Sequence, residues 1–158
     1  MAAPYQVSSS IHFPVPPEVG YDAILAAPLE TIFVDRAGPI PPVKECRGQE
    51  GPWSSVGQSR TIVLADGGTV LETLIQADRA NTDYRYRLTE VTGALKPLVA
   101  SVDGRFQFVA EGDGHRATWS WTLHPTNAVT RLLLPVFAIF WRQQAAKMWP
   151  RFGARLTA

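Results

Sequence analysis

Three stretches in the middle of the chain switch between large apolar and polar side chains at every step. Asp83 to Val91 sets Tyr84, Tyr86 and Leu88 against Arg85, Arg87 and Thr89. Ser101 to Ala110 sets Val102, Phe106 and Phe108 against Asp103, Arg105 and Gln107, and Arg116 to His124 sets Trp119, Trp121 and Leu123 against Thr118, Ser120 and Thr122. A period of two predicts strands, and strands with one apolar and one polar face belong to an antiparallel sheet that is dry on one side. The dry side of this sheet is aromatic and needs a cover.

The C-terminal part supplies one. Leu132 to Trp141 reads LLLPVFAIFW, ten residues without a charge. A membrane span takes ~20 residues, and Arg131 and Arg142 bracket the run closely, so it reads as a buried helix with no stable membrane insertion. Thr126 or Asn127 is placed to cap this last helix. Pro135 predicts a kink or a restart, and Phe137, Phe140, Gln144, Met148 and Phe152 fall on one face at steps of three or four. Pro150 and Gly153 predict bending or fraying at the end.

Upstream, Tyr5 to Phe13 reads as a first strand, stopped by Pro14, Pro16 and Pro17. From Glu18 to Val34 the apolar spacing is helical, with Pro28 dividing it into two short helices. Gly38 to Pro42 is a rigid connector. Val43 to Gly48, Ser59 to Ala65 and Thr69 to Gln76 read as strands, the last two flanking the hairpin signal Asp66-Gly67-Gly68. The expectation is an α+β fold over residues 1–158 as one domain: a strongly curved antiparallel sheet wrapped around a long C-terminal helix, with two short helices after the first strand.

Composition narrows the function classes. A formal net charge of +1 gives no global electrostatic case for nucleic acid. The one cysteine, Cys46, excludes an internal disulfide framework and a multi-cysteine zinc site. Together with an N-terminus that lacks a charged start and an apolar core of signal-peptide type, it points to a cytoplasmic setting.

The order of elements resembles the helix-grip fold of the START-like superfamily (SRPBCC), which includes birch-pollen-allergen-like proteins, polyketide cyclases/dehydrases and lipid-transfer domains. The texture is similar to bacterial members of polyketide cyclase/dehydrase and lipid-transport type. It is carried by GPWSSVGQSRTIVLADGGTVLETL (Gly51 to Leu74), YRYRLTEVTGALKPLV (Tyr84 to Val99) and GHRATWSWTLHP (Gly114 to Pro125). In that group a Gly-x-x-Arg strand leads through a glycine turn to a strand with Glu, here Gly57, Arg60, Gly67-Gly68 and Glu72. The resemblance implies the fold and leaves binding, transfer and catalysis open.

In this architecture a pocket lies between the concave sheet face and the last helix. Its expected lining is Tyr84, Tyr86, Phe106, Phe108, Trp119 and Trp121 from the sheet, with Leu133, Phe137, Phe140 and Trp141 from the helix. The alternative is that the same side chains fill a solid core. The loop around Trp53 and the Gly38 to Pro42 segment are the candidate rims. Arg60 and Glu72 are the candidate catalytic or anchoring pair: a three-residue hairpin loop makes them same-face diagonal neighbours, a two-residue loop sends them to opposite faces. His115, after a turn glycine, is expected at the surface, and His124 on the polar face. His12 is a conceivable acid–base partner for Glu72 or Glu90. No HExxH, CxxC or clustered ligand set supports a metal, and no cofactor is expected.

Three functions follow: a carrier of a hydrophobic small molecule such as a lipid, polyketide or aromatic metabolite; a cyclase or dehydratase using Arg60, Glu72, Tyr84 and Tyr86 in the same cavity; or an interaction protein using its apolar helix as a partner surface. The chain is expected to act as a monomer or homodimer.

Overall fold

The computed structural model describes residues 2–157, so Met1 and Ala158, the two ends of the 1–158 assignment, lie outside the described residues. Strand β1 (Tyr5–Phe13) is followed by helices α1 (Pro17–Ala26) and α2 (Leu29–Ile32), separated at Pro28 as the sequence predicts. Then come β2 (Val43–Arg47), β3 (Ser59–Leu64), β4 (Thr69–Asp78), β5 (Asp83–Thr89), β6 (Val99–Glu111) and β7 (Gly114–Pro125). The chain closes with α3 (Ala128–Arg131) and α4 (Leu134–Leu156).

All seven strands form one antiparallel sheet in the order β1-β7-β6-β5-β4-β3-β2. The two helices after β1 therefore carry the chain from one edge of the sheet to the other. Register shifts in β2, β4 and β6 mark bulges, which add an unpaired residue and bend the strand that holds it. The result is the curved sheet around a terminal helix expected of a helix grip.

Alternation decides which side chains turn inward. Tyr84, Tyr86, Leu88, Val102, Phe106, Phe108, Trp119 and Leu123 are all buried. Their polar neighbours make ion pairs on the outer face, such as Arg105 with Asp83 (2.9 Å) and Arg87 with Asp103 (2.7 Å). His124 joins that face, 2.7 Å from Asp103.

Of three features of the last helical region, the first meets expectation and the other two depart from it. Asn127 caps α3, its Oδ1 accepting from the Val129 and Thr130 amides at 3.0 Å. The helix then restarts, with Pro135 in the first turn of α4, where a missing N–H costs nothing. Second, α4 runs through Pro150 and Gly153 to Leu156 without fraying, because Met148, Trp149 and Phe152 anchor it in the core. Third, the apolar run is not buried all round: Leu132, Leu133, Val136 and Ile139 are exposed, while Leu134, Phe137, Ala138 and Trp141 face inward.

His115 is the other correction. It is fully buried, its Nδ1 2.7 Å from the Val15 carbonyl, with the rings of Phe13 and Phe108 against it. The turn glycine before it, Gly114, closes the β6–β7 hairpin opposite Glu111 and lies against the backbone of Phe13, while His115 pairs with Phe13 on β1. No helix among the described residues is long and apolar enough to cross a membrane.

Candidate functional site

The inward rings of β5, β6 and β7 stack across the sheet. Tyr84 and Phe106 lie 6.0 Å apart between centroids with an interplanar angle of 7°, and Phe106 and Trp119 lie 5.7 Å apart at 9°. Trp119 in turn meets Trp141 of α4 at 4.3 Å. The tyrosine between these rings is positioned by a glycine. Gly104 is the register partner of Tyr86, and any Cβ there would run into the Tyr86 ring.

Between these rings, the aliphatic side chains of β3 and β4, and the inner face of α4 lies a cavity of about 100 Å³. Its walls include Ile62, Leu64, Val70 and Leu88 from the sheet, Ile24, Leu29 and Phe33 from the helical crossover, and Ile40 and Pro41 from the connector. Glu72, Gln144 and the tyrosines and tryptophans of the lining bring the polar groups.

One end of the cavity rests on a buried ionic network. The hairpin turns over Ala65-Asp66-Gly67, with the Leu64 amide donating to the Gly68 carbonyl at 2.8 Å and Gly67 at φ 88°. Only glycine adopts that conformation freely. The turn sits one residue earlier than the two registers considered from sequence, and it sets Arg60 directly opposite Glu72. The Arg60 Nε donates to Glu72 Oε1 at 2.5 Å, and both side chains are at most 5% exposed. Tyr84 donates to Glu72 Oε2 at 3.2 Å and accepts from Trp53 Nε1 at 3.0 Å. The Arg60 guanidinium also lies over the Trp53 ring, 4.0 Å from its centre, and reaches Gln49 Oε1 at 2.9 Å.

Burial pushes the Glu72 carboxyl upward, against the pull of Arg60 and Tyr84. Burial opposes the Arg60 charge, but its partner Glu72 outweighs this and holds Arg60 above its ordinary value. The two faces of the pair look in different directions. Glu72 borders the apolar cavity, while Arg60 borders a polar cleft of about 290 Å³ shared with Cys46 and Gln49.

Residues 4–157 match the family described as polyketide cyclase / dehydrase and lipid transport. The chain belongs to that family. No curated protein matches it. Among solved structures it is similar to ginseng major latex-like protein 151 from Panax ginseng, with 13% identity over 97% of each chain and a TM-score of 0.73. It is also similar to TTHA0849 from Thermus thermophilus, with 18% identity over 97% of each chain and a TM-score of 0.69. Ara h 8.0201 matches with 17% identity, 98% of this chain, 99% of its own and a TM-score of 0.66. At such identities the likeness is one of fold.

Within this family fold, the structure brings Tyr84, Tyr86, Phe106, Trp119, Trp121 and Trp141 together around the cavity. Four other expected lining residues lie elsewhere. Phe108 packs against His115 and Phe152. Phe137 is buried outside the cavity wall. Phe140 lies over Gly38, whose positive φ and missing Cβ make room for the ring. Leu133 is half exposed in the break before α4. Trp53 is not a rim residue but a buried platform under Arg60. His12 bonds the Glu111 carbonyl at 3.0 Å on the edge strand β1, which β7, β6 and β5 separate from Glu72 on β4.

Sequence reasoning missed Gln144 as a site residue, although a lone amide on an otherwise apolar helix face was a visible signal. It also missed the aliphatic half of the lining. The loop around Trp53 was marked only as a rim, and no sequence signal placed Trp53 or Gln49 in the network, which both reach from a loop.

Proposed function

We propose that this protein binds and carries a small hydrophobic molecule in the cavity between the sheet and α4. The observation that carries this reading is an apolar, aromatic-lined hollow between the sheet and α4, in a family described by polyketide and lipid chemistry. A volume of about 100 Å³ is below the usual ~300–1,000 Å³ of ligand sites. It is on the scale of the ~150 Å³ apolar cavity that takes up benzene. The molecule carried is therefore the size of a single ring unless the walls move. The wall best placed to move is the connector, where Ile40 and Pro41 face the cavity and a single isolated bridge between Ala37 and Ile40 shapes the turn.

A second reading, proton transfer during cyclisation or dehydration, draws on Glu72, a carboxyl pushed upward by burial at the cavity wall. It is the weaker one, because both carboxyl oxygens are already engaged by Arg60 and Tyr84.

Native mass spectrometry of freshly purified protein, followed by denaturation and identification of the released molecule, tests the carrier reading. A stoichiometric apolar adduct is the expected result. A clean apo mass together with no uptake of small apolar probes would overturn it.

A further inference from the structure

The polar atoms of the cavity wall do not balance. Trp141 Nε1 and Gln144 Oε1 are buried without a hydrogen-bond partner among the described residues. Both residues line the cavity, and they stand three apart on α4, which makes them neighbours on one helix face. Across the cavity, the Tyr86 oxygen accepts from Trp119 Nε1 at 2.9 Å and from Trp121 Nε1 at 2.8 Å. A phenolic oxygen has two lone pairs and one proton, so those two bonds use its accepting capacity. Its own proton has no acceptor among the described residues. Tyr84, by contrast, is balanced, accepting from Trp53 and donating to Glu72.

The unspent groups are thus two donors, Trp141 Nε1–H and the Tyr86 hydroxyl proton, and one acceptor, Gln144 Oε1. Leaving such groups unpaired in an apolar interior costs ~1–3 kcal/mol each. All three residues line the same cavity of about 100 Å³.

Resting on the carrier reading above, we propose that the cavity selects a neutral apolar ring bearing one hydroxyl group, because a hydroxyl offers two lone pairs to Trp141 and Tyr86 and one proton to Gln144. A ketone matches the donors but leaves Gln144 unpaired. A hydrocarbon leaves all three unpaired. An apolar cavity without these groups gives the reverse order, since burying a hydroxyl without partners is unfavourable.

The test is isothermal titration calorimetry with two matched pairs, phenol against toluene and cyclohexanol against cyclohexanone. Expected for the wild-type chain is binding of phenol at least about tenfold tighter than toluene, the equivalent of one lost hydrogen bond in a dry site. Cyclohexanol should likewise bind more tightly than cyclohexanone. Gln144→Leu should erase the preference for cyclohexanol over cyclohexanone, which rests on Gln144 alone, and reduce the phenol preference over toluene while toluene binding is kept or strengthened. Gln144→Met serves as the second variant should the first fail to fold. Toluene binding as tightly as phenol, cyclohexanone as tightly as cyclohexanol, or a cyclohexanol preference over cyclohexanone that survives loss of Gln144 overturns the hydroxyl selection and leaves the carrier reading standing. Binding of none of the four overturns both.

Discussion

Arg60 and Glu72 show what a single pair can cost or contribute. Each is almost fully withdrawn from water, so removing one strands the charge of the other. Arg60→Met is expected to lower the unfolding free energy by ~3–5 kcal/mol, whereas the double change to Met at both positions is expected to recover most of that loss. Urea denaturation of the three proteins measures it; a double variant as unstable as the single one contradicts the assignment. The inward position of Glu72 was legible in the alternation Val70, Glu72, Leu74. Its partner was not, because one residue of hairpin register decides whether Arg60 faces it. Cys46, beside the same pair, is pushed up to about 11, chiefly by burial. Its thiol is therefore expected to react with a disulfide reagent at pH 8 far more slowly in the folded protein than in urea. Equal rates would place it in open solvent.

At the scale of elements, most strands are read correctly because period-two patterning is local. Helix α4 is the exception, and Pro150 explains it. A proline in a helix interior loses a hydrogen bond and crowds the preceding turn, yet α4 continues because tertiary burial of Trp149 and Phe152 outweighs propensity. Pro150 itself is exposed, so Pro150→Ala removes no packing and is expected to stabilise the protein by ~1–3 kcal/mol, read as a rise in the urea midpoint. In the sheet, Gly104 is a site where the backbone must admit a ring. Gly104→Val is expected to displace Tyr86, destabilise the fold and break the bonds from Trp119 and Trp121, visible as altered indole N–H resonances. An unchanged spectrum would contradict this placement of the ring.

At the scale of the whole molecule, paired carboxylates on the outer face of the sheet shape the response to acid. Burial works to raise Asp83, but hydrogen bonds from Arg105 and Arg85 outweigh it and hold the carboxyl below its ordinary 3.8. Asp103 is lowered in the same way by Arg87 and His124. A folded value below the unfolded one gives stability that is complete above the unfolded value and lost as the pH falls through the folded one. Glu72 has the opposite sign: its share is present below the unfolded value and lost as the pH rises through its lifted folded value. The urea midpoint is therefore expected to drop below about pH 4, and Asp83→Asn to flatten that drop. An unaltered acid limb in the variant would remove Asp83 from the account. What the sequence determined by itself is the set of strands, the two helices divided at Pro28, and the aromatic identity of the inner face, because each depends on residue spacing along a few turns of chain. Only the tertiary structure decided which rings border the cavity, that Trp53 lies beneath Arg60, that His115 is buried, and that Leu132, Leu133, Val136 and Ile139 look outward. Those outcomes depend on the register of the strands, on what packs over β7 at its pairing with β1, and on the rotation of α4 over the sheet, and all are set by packing between residues far apart in the chain.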